Sequence, residues 1–64
     1  MRGEMVEMKK HLTEDNVEIS LYVTIDGKIT VRVFDVDAGE AAGYRQFPNL
    51  AMAEAYYHDT VRLS

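Results

Sequence analysis

Two runs of alternating apolar residues, hinged at Asp26-Gly27, constrain this chain more than any other feature. Residues 17–36 read VEISLYVTIDGKITVRVFDV, with Val17, Ile19, Leu21, Val23 and Ile25 in the first run and Ile29, Val31 and Val33 in the second. Period-two alternation rich in β-branched residues marks half-buried strands. Asp-Gly is a hairpin signal because glycine takes positive φ without a steric cost. A two-residue loop would set Ile25 against Lys28 and throw the two apolar sets onto opposite faces. A three-residue loop pairs odd with odd and places Leu21, Val23, Ile29 and Val31 on one face. The sequence therefore predicts a three-residue loop with a bulge, Gly27 being its left-handed residue. Past Val33 the parity switches to Phe34 and Val36, which implies a bulge near Phe34 or partial cover of the second face. Tyr22 shares that second face.

Sixty-four residues make one small domain without cysteine, so no disulfide can staple it. A chain of this size has few ways to cover both faces of a sheet, and a homodimer is expected. Eleven acids against seven bases give a net charge of -4, and the bases are scattered along the sequence. That balance repels phosphate and disfavours direct nucleic-acid binding. No apolar run is long enough to span a bilayer, and the first residues do not open a signal peptide. A soluble, cytoplasmic protein is expected.

Before the hairpin, Met1, Met5, Met8 and Leu12 recur at helical spacing. They predict a short helix over 1–12, with a frayed end and an added strand as the alternatives. After the hairpin, residues 37–40 form a turn around Gly39, and 41–47 (AAGYRQF) form a third strand weakened by Gly43. Pro48 biases Phe47 away from helical dihedrals, and Asn49 suits an N-cap. From Leu50 an amphipathic helix turns Leu50, Ala53, Tyr56, Tyr57 and Thr60 to one side and Glu54, His58 and Arg62 to the other. Residues 60–63 either finish this helix or form a short strand; the helix is preferred. The expected class is α+β: a three-stranded antiparallel sheet, built from the hairpin 17–36 plus a third strand, with the C-terminal helix packed on one face.

No constellation of catalytic residues is present. Nucleophile elbow, HExxH and phosphate-loop patterns are all missing, and His11 and His58 lack matched partners. No enzyme activity, cofactor or metal is expected. Asp35 and Asp37 begin a stretch that lacks the Gly and Glu positions of a calcium loop. With Glu14, Asp15 and Glu18 they gather at the end opposite the Asp26-Gly27 turn, either as a solvated acidic edge or as a phosphate-like surface. Met52, Tyr56 and Tyr57 form a sulfur- and aromatic-rich helix surface. Core packing accounts for one side of it; two adjacent tyrosines cannot both point inward, so Tyr56 is expected at a rim suited to an interface.

A short acidic chain with a hairpin turning at Asp26-Gly27-Lys28 and a later helix carrying Glu54-Ala55-Tyr56-Tyr57 resembles the small dimeric uracil-DNA glycosylase inhibitors of Bacillus phages. The resemblance spans residues 16–63 in order of elements. It implies a phage-encoded homodimer in the host cytoplasm that imitates the DNA backbone and holds the enzyme's DNA-probing loop in a cleft between subunits. Glu54 and Tyr57 then match the helix Glu-x-x-Tyr pair lining that cleft. The sequence departs from the family at Ala53, where a bulky aromatic is expected, and the family pattern makes 60–63 a strand. The implied function is a protein-binding inhibitor with partner-binding residues Met52, Glu54, Tyr56, Tyr57, Asp35 and Asp37. Two alternatives stand beside it. Three strands followed by a helix resemble the arm-binding domains of tyrosine recombinases, whose sheet enters the major groove; here only Arg32 and Arg45 could serve. A regulatory protein-interaction domain is the other.

Overall fold

The computed structural model describes residues 6–63, which form β1 (Val6–Leu12), β2 (Val17–Val23), β3 (Ile29–Asp35), β4 (Glu40–Phe47) and α1 (Leu50–Leu63). The strands make an antiparallel meander in the order β1-β2-β3-β4, and α1 lies over β2, β3 and β4 on one face. The class is α+β, as the sequence implies, but the sheet has four strands rather than three.

The extra strand is β1. Of the helix expected over 1–12, residues 1–5 lie outside those described, and Val6–Leu12 is extended. Helical spacing of methionines loses here for two reasons. An isolated helix this short cannot pass its nucleation cost. The free edge of β2 meanwhile offers backbone donors and acceptors that an extended segment satisfies. A bulge between Glu7 and Lys9 shifts the β1 register, so the strand's own alternation is interrupted in the sequence.

The central hairpin closes as the pattern demands. Val23 pairs with Ile29. The Thr24 N–H then donates to the Lys28 carbonyl at 2.9 Å, leaving Ile25-Asp26-Gly27 as the loop. Gly27 has φ 85°, where an L side chain is strained. Thr24 Oγ1 accepts from the Lys28 N–H at 3.0 Å and also bonds the Asp26 carboxylate. That second bond, with Lys28 nearby, lowers the Asp26 pKa below its ordinary value.

The β1–β2 turn repeats this design with different residues. The Thr13 N–H donates to the Val17 carbonyl at 2.9 Å, Thr13 Oγ1 accepts from the Val17 N–H at 3.2 Å, and Asn16 takes φ 62° in the place of Gly27. Asparagine is among the few residues that tolerate this region. In the β3–β4 turn, Asp35 Oδ1 accepts from the Ala38 N–H at 3.2 Å and Gly39 is left-handed at φ 73°.

The core follows from the register. Ile19, Leu21 and Val31 are at most 1% exposed and meet Ala53 and Tyr57 of the helix; Val17, Ile29, Val33, Phe47, Leu50, Tyr56 and Val61 surround them. β3 runs regularly against β2 through Asp35. The bulge expected near Phe34 lies across from it: the register of β4 shifts between Val33 and Phe34, leaving Ala42 as the extra residue. Asn49 caps the helix, its Oδ1 accepting from the Met52 N–H at 2.9 Å. Residues 60–63 continue the helix, as the residue pattern prefers and against the strand implied by the phage-inhibitor resemblance. No helix of the described residues is long and apolar enough to cross a membrane.

The left-handed residue at position 16 yields a stability prediction. Asn16→Ala should cost about 1 kcal/mol, the steric penalty of a Cβ-bearing residue without a local polar group in this region. Asn16→Gly should fold at least as well as the parent except for the exposed Asn16–Asp37 hydrogen bond. Urea unfolding of both variants checks this. Equal midpoints for Asn16→Ala and the parent would show that the loop does not need the left-handed geometry.

Candidate functional site

α1 covers one face of the sheet, and among the described residues no element covers the other. Alternation decides what stands on that open face. The helix side takes the odd residues of β2 and β3, so Glu18, Ser20 and Tyr22 of β2 and Thr30, Arg32 and Phe34 of β3 face away. The register adds Lys10 beside Ser20, Leu12 beside Glu18, Tyr44 beside Arg32 and Gln46 beside Thr30.

Arg32 is the centre of this surface. Its guanidinium lies over the Phe34 ring at 5.3 Å and the Tyr22 ring at 5.9 Å. A guanidinium held over ring faces gains from their quadrupoles, on the order of 0.5–1 kcal/mol where exposed. Its Nη2 also sits 3.9 Å from Glu18, which is 4.0 Å from Lys10, itself 3.8 Å from Glu7. Pairs this long and this open to water contribute little to stability. They do cancel charge: two acids and two bases leave the open face neutral on a molecule of net charge -4. Ser20 and Thr30 are buried between these longer side chains. Thr30 Oγ1 and Arg32 Nε have no hydrogen-bond partner among the described residues. Tyr44 is 70% exposed, more open to solvent than Tyr22 or Phe34 on the same face.

The residues expected to bind a partner are not brought together. Tyr57 is 6% exposed and belongs to the core. Burial raises its phenol pKa above the ordinary 10.0. A Glu54–Tyr57 pair presented on the helix surface is therefore not formed; the helix turns Tyr57 inward because its position repeats that of Ala53 and Leu50. Tyr56 lies at the rim as expected, packed on Phe47 at 5.2 Å with the Arg45 guanidinium 5.6 Å from its ring. Met52 is half exposed near the start of the helix. Asp35 and Asp37 are at the opposite end of the sheet, where the Asn16 side chain donates to Asp37 at 3.2 Å and the Val36 N–H donates to the Asn16 carbonyl at 3.0 Å. Those bonds join the β1–β2 and β3–β4 turns and gather Glu14, Asp15, Asp37 and Glu40 at one end. Arg32 and Arg45 do not share a face: Arg45 pairs with Val31 on the helix side, Arg32 with Tyr44 on the open side. The bulge at Ala42 separates them: without that extra residue Arg45 would stand opposite Thr30 on the open side.

Sequence parity places Tyr22 and Phe34 on the second face; the register adds Arg32 between them. The i, i+2 run of Thr30, Arg32 and Phe34 opposite Tyr22 carried that signal. No family model matches the chain, and neither curated proteins nor solved structures give a match.

Tyr57 as a core residue gives a prediction with two readouts. Tyr57→Ala should cost about 3–5 kcal/mol, as truncating a buried aromatic does, and leave so small a domain largely unfolded by circular dichroism. Glu54→Ala should stay within about 0.5 kcal/mol of the parent. The pH dependence follows from linkage. Because the folded state holds the Tyr57 proton more tightly, its contribution is complete below pH 10.0 and is lost as pH rises above it. Tyr57→Phe should fold normally and show less alkaline destabilisation.

Proposed function

We propose that this chain is a small protein-binding module that works through the open face of its sheet and performs no chemistry itself. The observation that carries the reading is the Tyr22–Arg32–Phe34 cluster with Tyr44 beside it, an aromatic and guanidinium surface on a face that no other element of the described residues covers. Aromatic residues and arginine are enriched at the centres of protein interfaces, where they bury large areas at low entropic cost. The surface also suits a protein better than a nucleic acid. Bases stack on aromatic platforms, but such platforms come with a cationic groove for the backbone. Here the two cations face two acids, and Arg45 is on the other side of the sheet.

A more specific form of this reading is an inhibitor of a DNA-handling enzyme, with host uracil-DNA glycosylase as the partner that the phage-inhibitor resemblance names. The acidic end of the molecule favours it: Glu14, Asp15, Asp35, Asp37 and Glu40 on two joined turns would be drawn to a basic DNA-binding groove. In this form the carboxylates of the turns take the role that Glu54 and Tyr57 hold in the resemblance, and the open face supplies the apolar contact.

Two assays test the proposal. Uracil excision by a bacterial uracil-DNA glycosylase should fall when the chain is added in stoichiometric excess, and Asp35→Asn/Asp37→Asn should restore it; undiminished excision removes that partner. A gel shift with duplex and single-stranded DNA should show no complex. A shifted band abolished by Arg32→Ala would replace the protein-binding reading with a nucleic-acid one.

A further inference from the structure

The two edges of the sheet differ in chemistry. β1, at one edge, carries Glu7, Lys9 and Lys10, the charges by which proteins keep an edge from pairing. β4, at the other edge, reads EAAGYRQF and is exposed along nearly its whole length. Its centre is uncharged and small: Ala41, Ala42 and Gly43. No Cβ placed at Gly43 would meet another atom. An edge of this kind leaves a row of backbone donors and acceptors open to another strand.

Glu40 and Arg45 bracket that centre. Neither forms an ion pair among the described residues, while the acids and bases of the open face are paired. In a regular strand two residues five apart point to opposite faces. The bulge at Ala42 removes that opposition. Glu40 pairs with Asp35 and Arg45 with Val31, and both of those β3 residues lie on the helix side. For the same reason Ala41, opposite Phe34, and Tyr44, opposite Arg32, both lie on the open side.

We infer that β4 pairs antiparallel with β4 of a second copy of this chain, about a two-fold axis between Ala42 and Gly43. In that register Glu40 of each copy stands across from Arg45 of the other on the helix side. Tyr44 stands across from Ala41 on the open side, so a large ring meets the smallest side chain available to it. Ala42 and Gly43 meet at the axis, where two edges must come closest. Opposite charges directly across an antiparallel pair stabilise it and like charges destabilise it. The pattern is self-complementary, which a two-fold interface requires and a foreign strand does not. It stands independently of the open-face reading above.

Charge reversal with sedimentation velocity over a range of concentrations tests this. The parent should dimerise. Arg45→Glu and Glu40→Arg should each weaken the dimer by about tenfold or more, since each sets like charges across the axis twice. Glu40→Arg reduces the overall negative charge, so weakening there cannot come from long-range repulsion. The double variant Glu40→Arg/Arg45→Glu should recover the parent's association. In the same samples, hydrogen exchange should show protection of β4 amides that grows with concentration, which keeps the test decisive even where a variant is poorly folded. A parent that stays monomeric overturns the inference. So does a dimer that both single reversals leave intact, or one that Phe34→Glu on the open face breaks while the reversals do not.

Discussion

Among the described residues a single helix covers a four-stranded sheet, and most of the structure follows from that shortage. The helix reaches β2, β3 and β4 on one side only, so the fully sheltered core shrinks to Ile19, Leu21, Val31, Ala53 and Tyr57. A domain this small without a disulfide depends heavily on each such residue. That dependence settles the fate of Tyr57. An aromatic buried against three strand residues contributes far more to folding than a phenol displayed on a helix could contribute to binding. The other side of the sheet, which no helix of the described residues covers, resolves the same problem differently. Long side chains lie along the sheet and over one another, with Arg32 across Tyr22 and Phe34, so that Ser20 and Thr30 are buried by neighbours in their own layer.

The hairpin, its odd loop and the capped helix were legible in the sequence because each depends on local chemistry. Parity between the apolar runs excluded a two-residue loop at Asp26-Gly27, and Asn49 after Pro48 announced the helix. β1 was not legible, because its stability comes from a partner strand rather than from its own residues. Almost nothing in Val6–Leu12 is buried, so it has no apolar face to display as a pattern. A signal did exist one step away. Thr13-Glu14-Asp15-Asn16 has the same layout as Thr24-Ile25-Asp26-Gly27: a threonine whose hydroxyl accepts from the backbone four residues on, then an aspartate two positions later, then a left-handed residue. Reading the first turn by analogy with the second would have demanded a strand before it.

The candidate site was less legible than the fold, and for a general reason. Which face a side chain takes depends on every bulge between it and the reference residue, and bulges leave faint traces in a single sequence. Arg32 and Arg45 look like a basic pair until alternation and the bulge at Ala42 are counted, which sends them to opposite sides of the sheet. Asp35 and Asp37 lie with the acids of the first turn because hairpin topology alone brings those ends together. Met52 and Glu54 belong to α1 and not to the acidic turns.

The bulges also link the two surfaces considered above. Antiparallel pairing of β4 with its copy, in a register that keeps faces matched, requires a two-fold axis perpendicular to the sheet. Such an axis leaves both helices on one side and both open faces on the other. Tyr44 would then lie near the centre of a doubled platform, with Arg32 and its rings flanking it symmetrically. The acidic turns would point away from each other at opposite corners, where their mutual repulsion is least within the range of screened charges. The same extra residue that hides Arg45 from the open face therefore makes it available to Glu40 of a second chain. A strand that fails as part of a basic DNA-binding surface is suited, by that one insertion, to join two neutral faces into one.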